Sequence, residues 1–233
     1  MIEESKDNQI INYLEKFHLE SVFKEPLRDF LSICTFKEGQ VICSQGTHAH
    51  YLSVLVTGKI KIFTNSREGK TLILSFMTPL EMIGDIEYVM EKPYLNTVQA
   101  ISPVTMIRVS YDSLKQYGWN DPDLQRFLLK IITNKFYIKS NFMSFNLMHS
   151  VEVRLASYLL SVGFDETGQQ QTESNHELMI TDIANLIGTS YRHLNRVIVR
   201  FCADGLVERN KGYLKAINKD GLSKIAGGNI YES

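Results

Sequence analysis

The apolar positions of this 233-residue chain keep two different periods, and the places where the period changes divide it. In residues 1–33, Ile10, Ile11, Leu14, Phe17 and Leu19 are spaced for a helix, and Pro26 with Leu27, Phe30 and Leu31 predicts a second, short one. Residues 35–110 read instead as short strands at 35–46, 51–58, 59–63, 71–76 and 98–109, punctuated by Gly39, Gly46, Gly58, Gly69 and Gly84. Short strands with glycine turns at such close intervals predict an antiparallel barrel or jelly roll. The helical period returns at 119–150. Asp121 can cap a helix with Pro122 in its first position, and Leu124, Leu128, Ile131, Ile138, Phe142 and Phe145 follow, interrupted by Lys135. Such a helix spans ~40 Å, more than a small jelly roll can bury. Half of its apolar surface is therefore expected to pack on the core and the rest on a second copy of the chain.

Residues 151–164 form another helix, burying Val151, Leu155, Leu159 and Leu160, and residues 165–177 are a polar loop. Residues 178–180 are expected as a strand. The stretch ITDIANLIGTSYRHLNRVIVRFCADGLV (180–207) then reads as two short helices and a turn. Thr181 is read as the N-cap of the first, with Ile183, Leu186 and Ile187 on its apolar face; Gly188 falls at the turn. Ser190 caps the second, which buries Leu194, Val197, Ile198 and Phe201 and presents Tyr191, Arg192, Asn195, Arg196 and Arg200. A turn-centred pattern around Asn210, Lys211 and Gly212 adds a hairpin, making a winged helix-turn-helix.

A basic helix face can be merely solvated, so the helix pair alone leaves DNA binding open. Charge distribution changes that picture. Within residues 189–215, Arg192, Arg196, Arg200, Arg209, Lys211 and Lys215 stand against Asp204 and Glu208, and six minus two gives +4, whereas the whole chain is −1. Positive charge is concentrated where phosphates would lie. The hydrophobic and charged fractions, 44% and 22%, are those of an ordinary soluble protein. Cys34, Cys43 and Cys202 form no CxxC pair, so neither a disulfide framework nor a zinc ribbon is expected, and the thiols read as reduced in a cytoplasmic protein. The polar, acidic N-terminus is unlike a signal peptide, and no apolar run approaches the ~18 residues of a membrane span.

The segment FKEGQVICSQGTHAHYLSVLVTGKIKIFTNSREGKTLILSFMTPLEMIGDIE resembles the cyclic-nucleotide-binding jelly roll of the Crp/Fnr transcription regulators. Gly188, Ser190 and Arg196 match the Gly-x-Ser and following arginine that members of the family place at the recognition helix. The similarity runs in order along nearly the whole chain. IGDIEYVMEK…TVQAI and SYRHL…DGL…KGYL are especially similar to the YeiL-like branch. The resemblance implies an α+β fold: an N-terminal cyclic-nucleotide-binding-like β jelly roll, a long dimerisation helix and a C-terminal winged helix-turn-helix. The corresponding domains are 1–118, 119–150 and 151–233.

In the cyclic-AMP-binding members a glycine-glutamate pair and a downstream Arg-Ser hold the ribose and the cyclic phosphate. Here Gly84 and Asp85 keep the turn and a carboxylate, but the second segment reads Pro93-Tyr94-Leu95-Asn96-Thr97, without a cation. A buried phosphate needs a guanidinium or its equivalent, so cyclic AMP is not the expected effector. Gly84, Asp85, Asn96 and Thr97 remain the effector-pocket candidates. The iron–sulfur cluster of Fnr-like members uses four thiolates, which this chain lacks, so none is expected.

His48 and His50 resemble the metal motif of cupin enzymes, but no carboxylate follows between Tyr51 and Gly58, and a solvated turn without metal is expected. A cupin-like metalloenzyme and a ligand-sensing jelly roll without DNA binding are the alternatives; neither accounts for the winged helix. The expectation is a dimeric, sequence-specific DNA-binding transcription regulator, not an enzyme, controlled by an unknown signal. It would bind a palindromic site on double-stranded DNA. Arg192, His193 and Arg196 are expected at base edges, and Thr181, Ser190, Tyr191 and Lys211 on phosphate or sugar. An activator of this family would also contact RNA polymerase.

Overall fold

A computed structural model of the chain describes residues 6–69, 71–164, 179–210 and 213–227. The expected polar loop at 165–177, Leu178, and Lys211 with Gly212 lie outside the described residues. The chain divides into two compact units, one up to Lys135 and a second from Phe136.

The first unit opens with α1 (Lys6–Lys16), which buries Ile10 and Leu14 and leaves Ile11 exposed. The second predicted helix is only a 3-10 turn, Leu27–Phe30, because β1 (Ser32–Phe36) begins directly behind it. Ser32 and Ile33 pair with Arg108 and Ile107 of a strand far along the chain. No local pattern announces a partner so distant.

Then follow β2 (Val41–Cys43), β3 (Tyr51–Thr57), β4 (Ile60–Asn65), β5 (Thr71–Met77), β6 (Glu81–Ile83), α2 (Asp85–Met90), β7 (Thr97–Ala100) and β8 (Val104–Ser110). They make two antiparallel sheets, in the orders β1-β8-β3-β6 and β2-β7-β4-β5, consistent with the expected jelly roll. The short β6, absent from the sequence reading, pairs with β3 through Ser53↔Ile83. Leu55, Ile60, Val98, Ala100, Val104 and Met106 fill the space between the sheets. The opposite face of β3 and β8, with Leu52, Val54, Ile107 and Val109, packs against α1 and the start of the long helix. This double burial explains why every residue from Leu52 to Val56, Ser53 included, is buried, where a half-buried strand would alternate.

A helical turn, α3 (Tyr111–Ser113), widens into a π-turn at Leu114–Gly118 and leads to α4 (Pro122–Met148). Asp121 caps α4 as expected: its Oδ1 accepts from the Asp123 and Leu124 amides at 2.8 and 3.1 Å. Leu124 and Leu128 are buried in the first unit. A different stripe stays exposed, Leu129 (67%), Phe136 (72%), Met143 (61%) and Leu147 (80%). Its members are separated by seven, seven and four positions, a heptad-type spacing.

The second unit contains α5 (Val151–Gly163), α6 (Ile180–Leu186), α7 (Tyr191–Ala203), β9 (Val207–Asn210), β10 (Tyr213–Ala216) and α8 (Lys219–Ala226). β9 and β10 pair from Tyr213↔Asn210 to Ala216↔Val207. Two expectations change here. Ile180 opens α6 rather than closing a strand, and Thr181 is its second residue, not its N-cap. The cap is Met179, whose carbonyl receives the Asp182 and Ile183 amides at 2.8 and 3.0 Å, so the helix begins earlier than the hydroxyl suggested. α8, not foreseen, is capped by Asn218, which accepts from the Gly221 amide at 2.8 Å. Among the described residues, no helix is long and apolar enough to cross a membrane.

Candidate DNA-binding interface

α7 buries Leu194, Val197, Ile198 and Phe201, each at most 2% exposed, and packs against α6, where Ile183 and Ala184 are buried as well. Anchoring by that stripe fixes which residues face outward. Ser190 caps α7 by accepting from the His193 amide at 3.2 Å. Gly188 adopts φ +65°, a left-handed value suited to glycine at the turn. Arg154 of α5 donates to the carbonyls of Ile187 and Gly188, placing a cation on the α6 C-terminus. That clamp joins residues more than thirty positions apart and was invisible in the sequence.

Tyr191, Arg192, His193 and Arg196 are all exposed, at the N-terminal half of α7, and Thr181 is exposed on α6. Arg200, grouped with the outer basic face by sequence, is instead turned toward α5, 3.4 Å from Glu152. The largest influence lowering Glu152 below the usual carboxylate range is its own backbone amide; the Ser150 hydroxyl and Arg200 add to it. From the wing, Arg209 donates to Asn195 Oδ1 at 2.8 Å and to the Tyr191 hydroxyl at 3.4 Å. The remaining residue expected on this face, Lys211, lies outside the described residues. The arrangement is a rigid helix presenting guanidinium, imidazole and amide groups, flanked by a basic hairpin, and is chemically suited to phosphates and base edges.

The effector candidates are dispersed in their bonding. Gly84, at φ +90°, has its carbonyl taken by the Tyr111 hydroxyl at 2.7 Å. Asp85 is 2% exposed and pairs with Lys135 of α4 at 3.0 Å. Lys135 also lies 2.6 Å from Glu81 and donates to the Met82 carbonyl. The lysine that breaks the heptad pattern is thus directed at the β6–α2 turn. Burial alone would lower its pKa; attraction to Asp85 and Glu81 outweighs that, and the net shift is upward. Thr97 Oγ1 accepts from the Gln45 amide at 3.1 Å, and the Asn96 carbonyl faces the Cys43 thiol. A cleft of about 430 Å³ opens elsewhere on this unit, lined by His48, His50, Tyr51, Glu87, Tyr111 and Lys115 among others, and by none of the four candidates. His48 and His50 are exposed, their rings in edge contact at 4.6 Å. No group of three or more His, Cys, Asp or Glu that could hold a metal ion occurs among the described residues.

Comparison with known proteins gives independent findings. Residues 33–118 match the family model of the cyclic nucleotide-binding domain, and residues 153–225 that of the Crp-like helix-turn-helix domain. The chain is 27% identical over 212 residues to the regulatory protein YeiL of Escherichia coli O157:H7, covering 89% of this chain and 93% of that one. It is 23% identical over 176 residues to a CRP-like cAMP-activated global transcriptional regulator of Mycobacterium tuberculosis, covering 74% and 78%. Among solved structures, the c-di-GMP responsive regulator CLP of Xanthomonas campestris superposes with a TM-score of 0.71 at 17% identity, over 89% of this chain and 99% of that one. A crp/fnr-family regulator of Eubacterium rectale gives 0.70 at 17%, over 96% and 95%. At such identities the superpositions establish a shared fold.

Proposed function

This chain belongs to the Crp/Fnr family of DNA-binding transcription regulators, and on that premise we propose how it reads DNA. Two copies pair along the exposed stripe Leu129, Phe136, Met143 and Leu147 of α4, within a long-helix segment at 119–150. Each sets one α7 into the major groove, so the two-fold axis dictates a roughly palindromic site with half-sites about one helical turn apart. The single observation that carries this reading is α7 itself, with four side chains sealed in the core and Arg192, His193 and Arg196 exposed on the opposite face.

Arg192 and Arg196 suit the paired acceptors of guanine, and His193 reaches a neighbouring edge. Ser190, Tyr191, Thr181 and Lys211 hold phosphate or sugar. Tyr191 supports its share of this: its oxygen accepts from Arg209, leaving its proton to donate. Such a regulator acts in the cytoplasm, with RNA polymerase as the partner if it activates. Its signal is other than cyclic AMP, because the segment 93–97 supplies no cation and Asp85 is already paired by Lys135.

The test is selection from a randomised duplex pool followed by affinity measurement. Arg192→Ala should cost about 1–3 kcal/mol and relax one position of the site; Lys211→Ala should weaken all sequences alike and reduce the salt slope by about 1. A Lys211→Ala protein with altered sequence preference and an unchanged slope refutes the division of roles. Met143→Glu/Leu147→Glu should sediment as a monomer and lose most of its affinity for the full site. A dimer unaffected by this change refutes the pairing face.

A further inference from the structure

The second observation on α7 is the contact between Arg209 and Asn195. Arginine carries only donors, so the amide it meets must turn its oxygen inward, whatever the side-chain assignment. At 2.8 Å this is a charge-assisted bond, stronger than one between neutral groups. Asn195 lies one residue before Arg196 and three after Arg192, half-buried at the edge of the exposed face. With Oδ1 held toward the wing, the NH2 group is the end of the amide left to face outward.

Resting on the DNA-reading role above, we propose that Arg209 is a positioning residue that turns Asn195 so that its NH2 group, as a donor, reads one base pair in each half-site. A free asparagine favours adenine, accepting from N6 while donating to N7. An amide whose oxygen is held toward the wing cannot do both. It meets guanine N7 and O6, or thymine O4, without opposition, while the amino groups of adenine and cytosine confront it with donors of its own kind. Specificity at that position is therefore set by a strand of the wing that need not touch the base. The same guanidinium reaches Tyr191 at 3.4 Å, so one side chain orients both an expected phosphate contact and a base contact.

The experiment is the same duplex selection, run on the full-length protein and on Arg209→Ala, Arg209→Lys, Asn195→Ala and Arg192→Ala, with affinities measured for duplexes differing at single positions. The native protein should prefer guanine or thymine over adenine at one position by about tenfold. Asn195→Ala should erase that preference and leave the others. Arg209→Ala should shift the same position toward adenine, since the released amide can rotate, and Arg209→Lys, which still donates to Oδ1, should restore part of the native preference. A purely structural or phosphate-binding Arg209 would instead lower affinity for every duplex equally and leave base preference unchanged, which overturns the inference. If Arg192→Ala relaxes its own position while Asn195→Ala changes none, only this inference fails. If the native protein enriches no sequence, the DNA-reading premise fails with it.

Discussion

Removing the Lys135 ammonium tests the most consequential contact that was not legible in the chain. Lys135→Met keeps most of the aliphatic stem but abandons Glu81 and Asp85, whose side chains are 11% and 3% exposed beside a lysine at 21%. Deleting one partner of a buried ion pair costs about 3–5 kcal/mol, chiefly because the remaining charge stays buried. The residual solvent at Lys135 and Glu81 places the expectation near the lower end, at about 3 kcal/mol. Urea unfolding can be followed by Trp119, the only tryptophan, which lies in the first unit with its ring 6.4 Å from Tyr88. With m of roughly 1–3 kcal/mol/M, the midpoint should fall by about 1–3 M at neutral pH.

The pH dependence separates charge from packing. In the native protein, the raised Lys135 pKa means a contribution fully present below the unfolded value of 10.5 and lost as pH rises through the folded value. In the variant, the two carboxylates stay buried without a cation, a cost that their protonation in acid removes. The difference between the proteins should be greatest near neutrality and shrink on both sides. Lys135→Met/Asp85→Asn should recover part of the loss. A loss below about 1 kcal/mol that stays flat from about pH 5 to 10 would show the pairs to be solvent-screened and refute the reasoning.

Two further outcomes follow from the first unit. Gly84→Ala would place a Cβ 2.3 Å from the Tyr51 carbonyl oxygen and 2.8 Å from the Tyr111 hydroxyl, at φ +90°. It should lose at least about 2 kcal/mol in thermal or urea unfolding, and a change within ~0.5 kcal/mol would contradict the packing of this turn. Burial raises the Cys34 thiol and pushes Cys43 up to about 12, whereas Cys202 is exposed. A thiol reagent at mildly alkaline pH should therefore modify Cys202 rapidly and the other two only after unfolding; fast labelling of Cys43 would count against its burial.

The helix-turn-helix was legible because its information is local. Ser190 caps, Gly188 turns, and the spacing of Leu194, Val197, Ile198 and Phe201 fixes an apolar face and hence the exposed one. The start of α6 was misplaced because Thr181 offers a capping hydroxyl that the fold does not use, the backbone of Met179 having closed the first turn already. The long helix was equally legible in extent, but not in which side faces what. Leu124 and Leu128 keep the predicted spacing yet pack into their own unit, leaving Leu129, Phe136, Met143 and Leu147 outside.

Sequence by itself determined the elements, their order, the basic concentration around α7 and the family resemblance, since periodicity, caps and turns act over a few residues. Only the tertiary structure decided which charges find one another. Lys135 meets Glu81 and Asp85 from about fifty positions away, Arg154 closes the α6 turn, Arg200 leaves the outer face for Glu152, and Arg209 turns the amide of Asn195. A long charged side chain carries no periodic signal of its partner, and its pairing is fixed only when packing brings distant backbone within reach.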